Sequence, residues 1–252
     1  PSLVLEGHRS AVLDVAFSPD GALLASASAD QSVRLWALDA GSGGDALTGA
    51  PLFGHASSVL SLDFSPTGAV LASGAEDGSV ILWQALGEPL LHAEGVYAVA
   101  FSPDGRLLAC GVRNGSITLW DVVARRQVGD ALAGHAGLVT ALAFSPDGRL
   151  LASSSRDGTV ILWDVAAGSP ARPPLTGHTD WVQGVAFSPD GALLASASRD
   201  GSVILWDVAT GRPLGRPHPP GMGALLPGCA LSPHLPGPLL SGRAGEFSAQ
   251  SA

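Results

Sequence analysis

Five times along this chain a Phe-Ser-Pro-(Asp/Thr)-Gly run is followed, 19 residues after its Phe, by a Trp. The Phe positions are 17, 64, 101, 144 and 187 and the Trp positions 36, 83, 120, 163 and 206, so the Trp residues stand 47, 37, 43 and 43 residues apart. In-phase recurrence at that period marks one supersecondary unit copied along the chain, with length changes admitted only in loops. Such a unit is too short to close a core of its own and must share one with its neighbours.

In the fourth copy, short runs rich in Val, Ile, Leu and Thr alternate with turn residues: 139–144, Ser145-Pro146-Asp147-Gly148, 150–155, Asp157-Gly158, 159–163, and a last apolar stretch near Leu175. This reads as four antiparallel strands, a to d. Pro presets φ at the second position of the a–b turn and Gly accepts a positive φ at its end. Asp157-Gly158 predicts a two-residue b–c hairpin. Consecutive apolar side chains at Val160, Ile161 and Leu162 predict that neighbouring sheets cover both faces.

With Gly-His at 7–8, 54–55, 134–135 and 177–178, and Trp-Asp at 120–121, 163–164 and 206–207, the chain resembles the WD-repeat β-propeller family. The resemblance covers residues 1 to about 215, with repeats at about 3–47, 48–90, 91–130, 131–173 and 174–216. It implies an all-β fold of five four-stranded antiparallel blades. Leu5 stands three residues before His8, as Leu52, Leu132 and Leu175 stand before their His residues, so Leu3-Val4-Leu5 reads as a stray d strand. In the family such a strand completes the last blade and ties the ring shut. The tail at 217–252 reads either as a decayed sixth copy, since 228–233 resembles 184–189, or as a disordered segment with seven prolines between 217 and 238. Family members usually close with more than five blades, so an open or truncated ring is a further expectation, and an open one invites self-association. The stretch Gly41-Ser42-Gly43-Gly44 is read as part of a c–d loop.

Four copies hold a His, a Ser, an Asp and a Trp at fixed separations: His8, Ser26, Asp30, Trp36; His55, Ser73, Asp77, Trp83; His135, Ser153, Asp157, Trp163; His178, Ser196, Asp200, Trp206. A hydrolytic triad is needed once, whereas this set recurs, and an indole only donates. The expected role is therefore a buried relay in which Asp accepts from His, His bonds Ser, and Ser accepts from the indole. The third copy keeps His92 and Trp120 but has Cys110 for Ser, Asn114 for Asp and Leu91 for the Gly before His, so its relay is expected to be weaker and its blade the softest.

All 13 basic residues are Arg, against 22 acidic ones, a net charge of −9 that argues against nucleic-acid or anionic-membrane partners. Without Lys, Schiff-base chemistry is excluded. Cys110 and Cys229 alone make neither a disulfide framework nor a cysteine zinc site, His218 and His234 are too isolated to act as ligands, and a cytoplasmic setting is expected. No cofactor, metal or catalysis is expected.

Function in a repeated scaffold belongs to loop residues that do not repeat. The residue before the b–c Asp or Asn is Ala29, Glu76, Arg113, Arg156 or Arg199, which gives three arginines in consecutive copies. Trp181, in the d–a loop of the fifth copy, takes the position of Ala11, Ser58, Gly95 and Leu138 and is the single Trp outside the c-strand site. These residues predict an interaction scaffold that binds a protein or peptide, acidic or phosphorylated, on the d–a/b–c loop face. A bland alternative has Trp181 folded over Arg199 as a local cation-π cover. A second reading makes the chain a regulatory segment of a larger signalling protein, such as a kinase or nucleotide-switch protein. An enzyme is the third class.

Overall fold

The computed structural model describes residues 4–38, 51–83 and 88–214, and each copy folds there into one four-stranded antiparallel sheet. Blade one comprises β1 (Val12–Phe17), β2 (Leu23–Ser28), β3 (Ser32–Ala37) and β4 (Leu52–Phe53); blade two comprises β5 (Val59–Phe64), β6 (Leu71–Ala75), β7 (Ser79–Trp83) and β8 (Leu90–Leu91). Blade three comprises β9 (Val96–Phe101), β10 (Leu107–Val112), β11 (Ile117–Asp121) and β12 (Arg126–Gln127). Blade four comprises β13 (Val139–Phe144), β14 (Leu150–Ser155), β15 (Val160–Asp164) and β16 (Ser169–Pro170); blade five comprises β17 (Val182–Phe187), β18 (Leu193–Ser198), β19 (Val203–Asp207) and β20 (Arg212–Pro213). No helix occurs among the described residues, so none is long and apolar enough to cross a membrane.

The a–b turn follows from its side chains. Gly21 at φ 71° closes onto the Ser18 carbonyl at 2.8 Å, and the Ser18 hydroxyl donates to Asp20 at 2.6 Å; blades three, four and five repeat the arrangement. The b–c turn differs from the expected Asp-Gly pair. Gly158 donates to the Ser155 carbonyl at 3.2 Å and holds φ at 82°, while Asp157 does not adopt a positive φ. Arg156 and Asp157 are therefore the central pair, with Gly158 as the left-handed residue that follows, a three-residue hairpin. That geometry places the residue before the Asp at the apex. In blade one Gln31 occupies the left-handed position at φ 72°.

The outermost strand is also not the single apolar run expected near Leu175. It meets its neighbour twice: β16 pairs with Trp163 and Asp164, then the chain bows out and returns for a lone bridge between Leu175 and Val160. Blade three does the same with β12 and Leu132.

Alternation along β15 divides the core as its sequence requires. Val160 and Leu162 pack towards blade five with Val182, Leu194 and Trp206, whereas Ile161 and Trp163 pack towards blade three with Ile117, Leu119 and Val139. The sheets of blades two, three and four are thus buried on both faces, as radial stacking demands. The innermost strands follow one another β1, β5, β9, β13, β17, and no comparable junction joins β17 to β1. Ring closure is therefore not shown. Among the described residues Val4 and Leu5 of the leader belong to no strand and Val4 is exposed, and blade five does not come alongside blade one to pair with them. Leu3, the Gly41–Gly44 loop and the tail from 215 onward lie outside the described residues.

The b–c glycines differ in how closely the next d–a loop approaches. A methyl on Gly115 (φ 88°) would stand 2.7 Å from the His135 carbonyl oxygen and 2.8 Å from that of Gly137, whereas one on Gly201 (φ 83°) meets nothing within 4 Å. Gly201→Ala should cost about 1 kcal/mol of backbone strain, and Gly115→Ala clearly more, because two backbone carbonyls must move. Urea midpoints of the two variants check this; equal losses would contradict it.

A loop-face cluster above a repeated polar relay

In blades one, four and five the relay forms as its spacing implies. Trp163 Nε1 donates to Ser153 Oγ at 2.8 Å, Ser153 meets His135 Nε2 at 2.7 Å, and His135 Nδ1 meets Asp157 at 2.9 Å. His8, Ser26, Asp30 and Trp36 match it, as do His178, Ser196, Asp200 and Trp206. The only tautomer that satisfies every member carries its proton on Nδ1. The same Asp accepts the backbone N–H of the residue after the His, from Arg9, Ala136 and Thr179, and so ties the d–a loop to the b–c turn.

Two copies are wired differently. In blade two the His55–Asp77 separation is 3.8 Å, and the Ser79 hydroxyl bridges them, 2.7 Å from His55 and 2.6 Å from Asp77. Ser73 and Trp83 keep their places. In blade three neither Cys110 nor Asn114 bonds His92. Thr118, on the adjacent strand, supplies the hydroxyl to His92 at 2.8 Å and to Trp120 at 3.0 Å, while Asn114 caps its own turn at Ser116. Thr118 stands where copies two, four and five have Ile81, Ile161 and Ile204 and copy one has Arg34, and those Ile side chains crowd Gly54, Gly134 and Gly177. The shorter Thr118 leaves room for Leu91 in place of a Gly, so the third copy is a partly compensated variant that lacks both the ionic tie of Asp to His and the Asp bond to the d–a loop N–H.

Burial pushes the His55, His92 and His135 imidazoles below the usual histidine range, with the Asp partners of His55 and His135 opposing it. For Asp200 burial opposes ionisation, but hydrogen bonds from Ser202, Thr179 and His178 outweigh it and hold the carboxyl at about 2. These shifts belong to a relay that fixes geometry.

On the loop face the turn geometry brings unrepeated residues together. The N–H of each b–c apex residue donates to a d–a loop carbonyl: Ala29 to Ala11, Glu76 to Ser58, Arg113 to Gly95, Arg156 to Leu138 and Arg199 to Trp181. Two guanidinium groups lie against the Trp181 ring, Arg156 at 4.4 Å and Arg199 at 5.0 Å from its centroid. Trp181 is thus shared between blades four and five rather than folded over Arg199 alone. Arg156, His178, Asp180 and Trp181 border an open recess of about 280 Å³. Arg113 is exposed on its own turn, and Glu76 is engaged by the Ser57 hydroxyl at 3.2 Å. Among the described residues none of the three arginines forms an ion pair, so their N–H groups face solvent.

The inner wall holds two unrepeated residues that sequence reading passed over. Asp14 accepts the Leu62 N–H and Asp63 the Phe101 N–H, both at 2.7 Å, so each carboxylate staples one innermost strand to the next. The sequence signal existed. Asp14 stands where the other copies have Ser61, Ala98, Ala141 and Gly184, and Asp63 where all have Ala. Burial raises Asp14 to about 6; burial, with the nearby Asp14 charge adding to it, raises Asp63 to about 7.

Folded values above the unfolded one mean that these two groups contribute stability fully below about pH 4 and lose it as pH rises towards 7. Lowered histidines act oppositely, losing stability as pH falls below 6.5. Asp63→Asn, which can still accept from Phe101, should therefore melt a few degrees above the parent at pH 8, at roughly 2–4 °C per kcal/mol. The gap should close by pH 5. An equal difference at both pH values would show that the Asp63 charge is not the cause.

Among the described residues no group of three or more His, Cys, Asp or Glu is placed to hold a metal. Three curated proteins share segments with this chain: a probable cytosolic iron-sulfur protein assembly protein CIAO1 homolog of Ixodes scapularis, 53% identical over 38 residues; Protein Mut11 of Chlamydomonas reinhardtii, 56% over 46; and a Notchless protein homolog of Arabidopsis thaliana, 50% over 52. The matched segments are 15%, 18% and 21% of this chain and 12%, 10% and 9% of those proteins, so the chain spans about a tenth of their length. The family model described as WD domain, G-beta repeat matches five times, at residues 1–37, 48–84, 90–121, 126–164 and 171–207. Those matches take in well over half of the chain, and each contains one blade's Trp and most of its sheet: the chain belongs to the WD-repeat family.

Proposed function

We propose that this chain is a non-enzymatic protein-interaction scaffold whose d–a/b–c loop face binds an acidic or phosphorylated peptide segment. The observation that carries it is the pair of guanidinium groups held against one unrepeated Trp with their N–H donors unpaired. Stacking on Trp181 limits the rotamers of Arg156 and Arg199, so less entropy is lost when an oxyanion is gripped. Planar guanidinium forks match carboxylate and phosphate geometry. Arg113, one blade away, extends the positive arc along which a peptide would lie.

WD-repeat membership supports an interaction scaffold in general, and the recurrence of the relay from copy to copy supports a structural role for it. The word cytosolic in one relative's name agrees with a cytoplasmic setting, which remains part of this proposal. An array of acidic, phosphorylated and neutral control peptides, probed with the whole chain, tests the reading. Selective capture of acidic or phosphorylated members is expected, and it should disappear in Arg156→Ala/Arg199→Ala. Uniform capture, or capture undiminished by that variant, would reject this face.

A further inference from the structure

The two ends of the array expose what every internal junction hides. At each junction the leading face of one blade, formed by Val, Leu or Val, and Phe of its innermost strand, packs on the trailing face of the blade before, formed by Val or Ile and Leu of its third strand. Val59, Leu62 and Phe64 are buried in this way against Ala27 and Val33. The same positions in blade one are open to solvent, with Val12 50% and Phe17 54% exposed. At the other end Val203 is 63% and Leu205 44% exposed, although Val160 and Leu162 in the corresponding places of blade four are fully buried.

We infer that the leading face of blade one docks on the trailing face of blade five of a second copy of this chain, head to tail. The two open faces continue an interface the molecule already makes four times. The exposed side chains occupy the repeat positions that the junctions bury, on the same strands and in the same register. A leading face fits a trailing face and not another leading face, so the contact is heterologous rather than two-fold. Each copy carries one face of each kind, and one molecular species supplies both. A net charge of −9 opposes the approach of two copies, so added salt should strengthen the association by screening. This inference is independent of the loop-face reading.

Sedimentation velocity of the full chain over a concentration series provides the test. Mass-action association that strengthens with salt is expected. Phe17→Asp and Val203→Asp each spoil one end at an exposed position that the fold does not need, and circular dichroism checks that both stay folded; Leu205→Asp serves in place of Val203→Asp if that variant unfolds. Each variant alone should sediment as a monomer. Mixed, they should form a dimer and nothing larger, because one good leading face and one good trailing face remain. A parent that is monomeric throughout overturns the inference, including the case in which removing residues 215–252 then creates association, since the tail would be the occupant. A mixture that stays monomeric overturns it too.

Discussion

Trp163→Ala should lower the unfolding free energy by about 3–5 kcal/mol, read as a fall in the urea midpoint. Trp163 is buried between blades three and four among Ile117, Leu132, Val139 and Ile161, so truncation leaves a void that two sheets must collapse to fill. Its indole also donates to Ser153, which in turn meets His135. Trp163→Phe separates the two contributions: most of the ring remains and the donor is lost, so a deficit of about 1 kcal/mol from the unsatisfied hydroxyl, with a smaller packing loss, is expected. Against a total of about 5–15 kcal/mol for a globular unit, the alanine variant approaches the limit of folding. A midpoint within error of the parent would mean that the repeated Trp is not a structural element of the junction.

The same substitution at Trp181 should cost far less, about 1 kcal/mol. Trp181 is half-buried at the loop face, and its truncation removes chiefly the stacking of two exposed arginines, a contact of about 0.5–1 kcal/mol at such sites. On the proposed reading Trp163 belongs to the frame and Trp181 to the binding face.

Much of the frame could be read directly. Five Phe-to-Trp intervals of equal length define five sheets, and turn residues mark where each strand ends, because both depend on short-range geometry. Relay members in blades one, four and five were legible for the same reason. Ser79 and Thr118 were not, since a hydroxyl can enter the relay from any strand position that points the same way, and spacing alone does not say which. Asp14 and Asp63 hid inside apolar strands, although comparing copies position by position, which singled out Trp181, finds them equally well. The leader poses a different problem: whether Val4 and Leu5 meet the last blade depends on curvature summed over four junctions, and no local pattern encodes that sum. The partnership of Arg156 with Trp181 likewise crosses a blade boundary, whereas the sequence paired Trp181 with Arg199 of its own blade.

If the loop face binds as proposed, removing either stacked arginine should weaken an acidic or phosphorylated peptide about 10- to 100-fold, the worth of one charge-assisted hydrogen bond of about 1.5–3 kcal/mol. Arg156→Glu and Arg199→Glu should cost more than the alanine changes, because repulsion is added to the lost bond. Arg113→Ala should have a smaller effect, since its guanidinium is not held by an aromatic ring. Weakening should be greatest at low salt, where the parent binds best.

Placing binding in the residues that fail to repeat is most directly tested by the dissociation constant of Trp181→Ala for the tightest peptide of the array, measured by fluorescence anisotropy on folded protein. A loss of roughly 30-fold or more, the size of a hot-spot truncation of about 2 kcal/mol, is predicted. Parental affinity in that variant would contradict it.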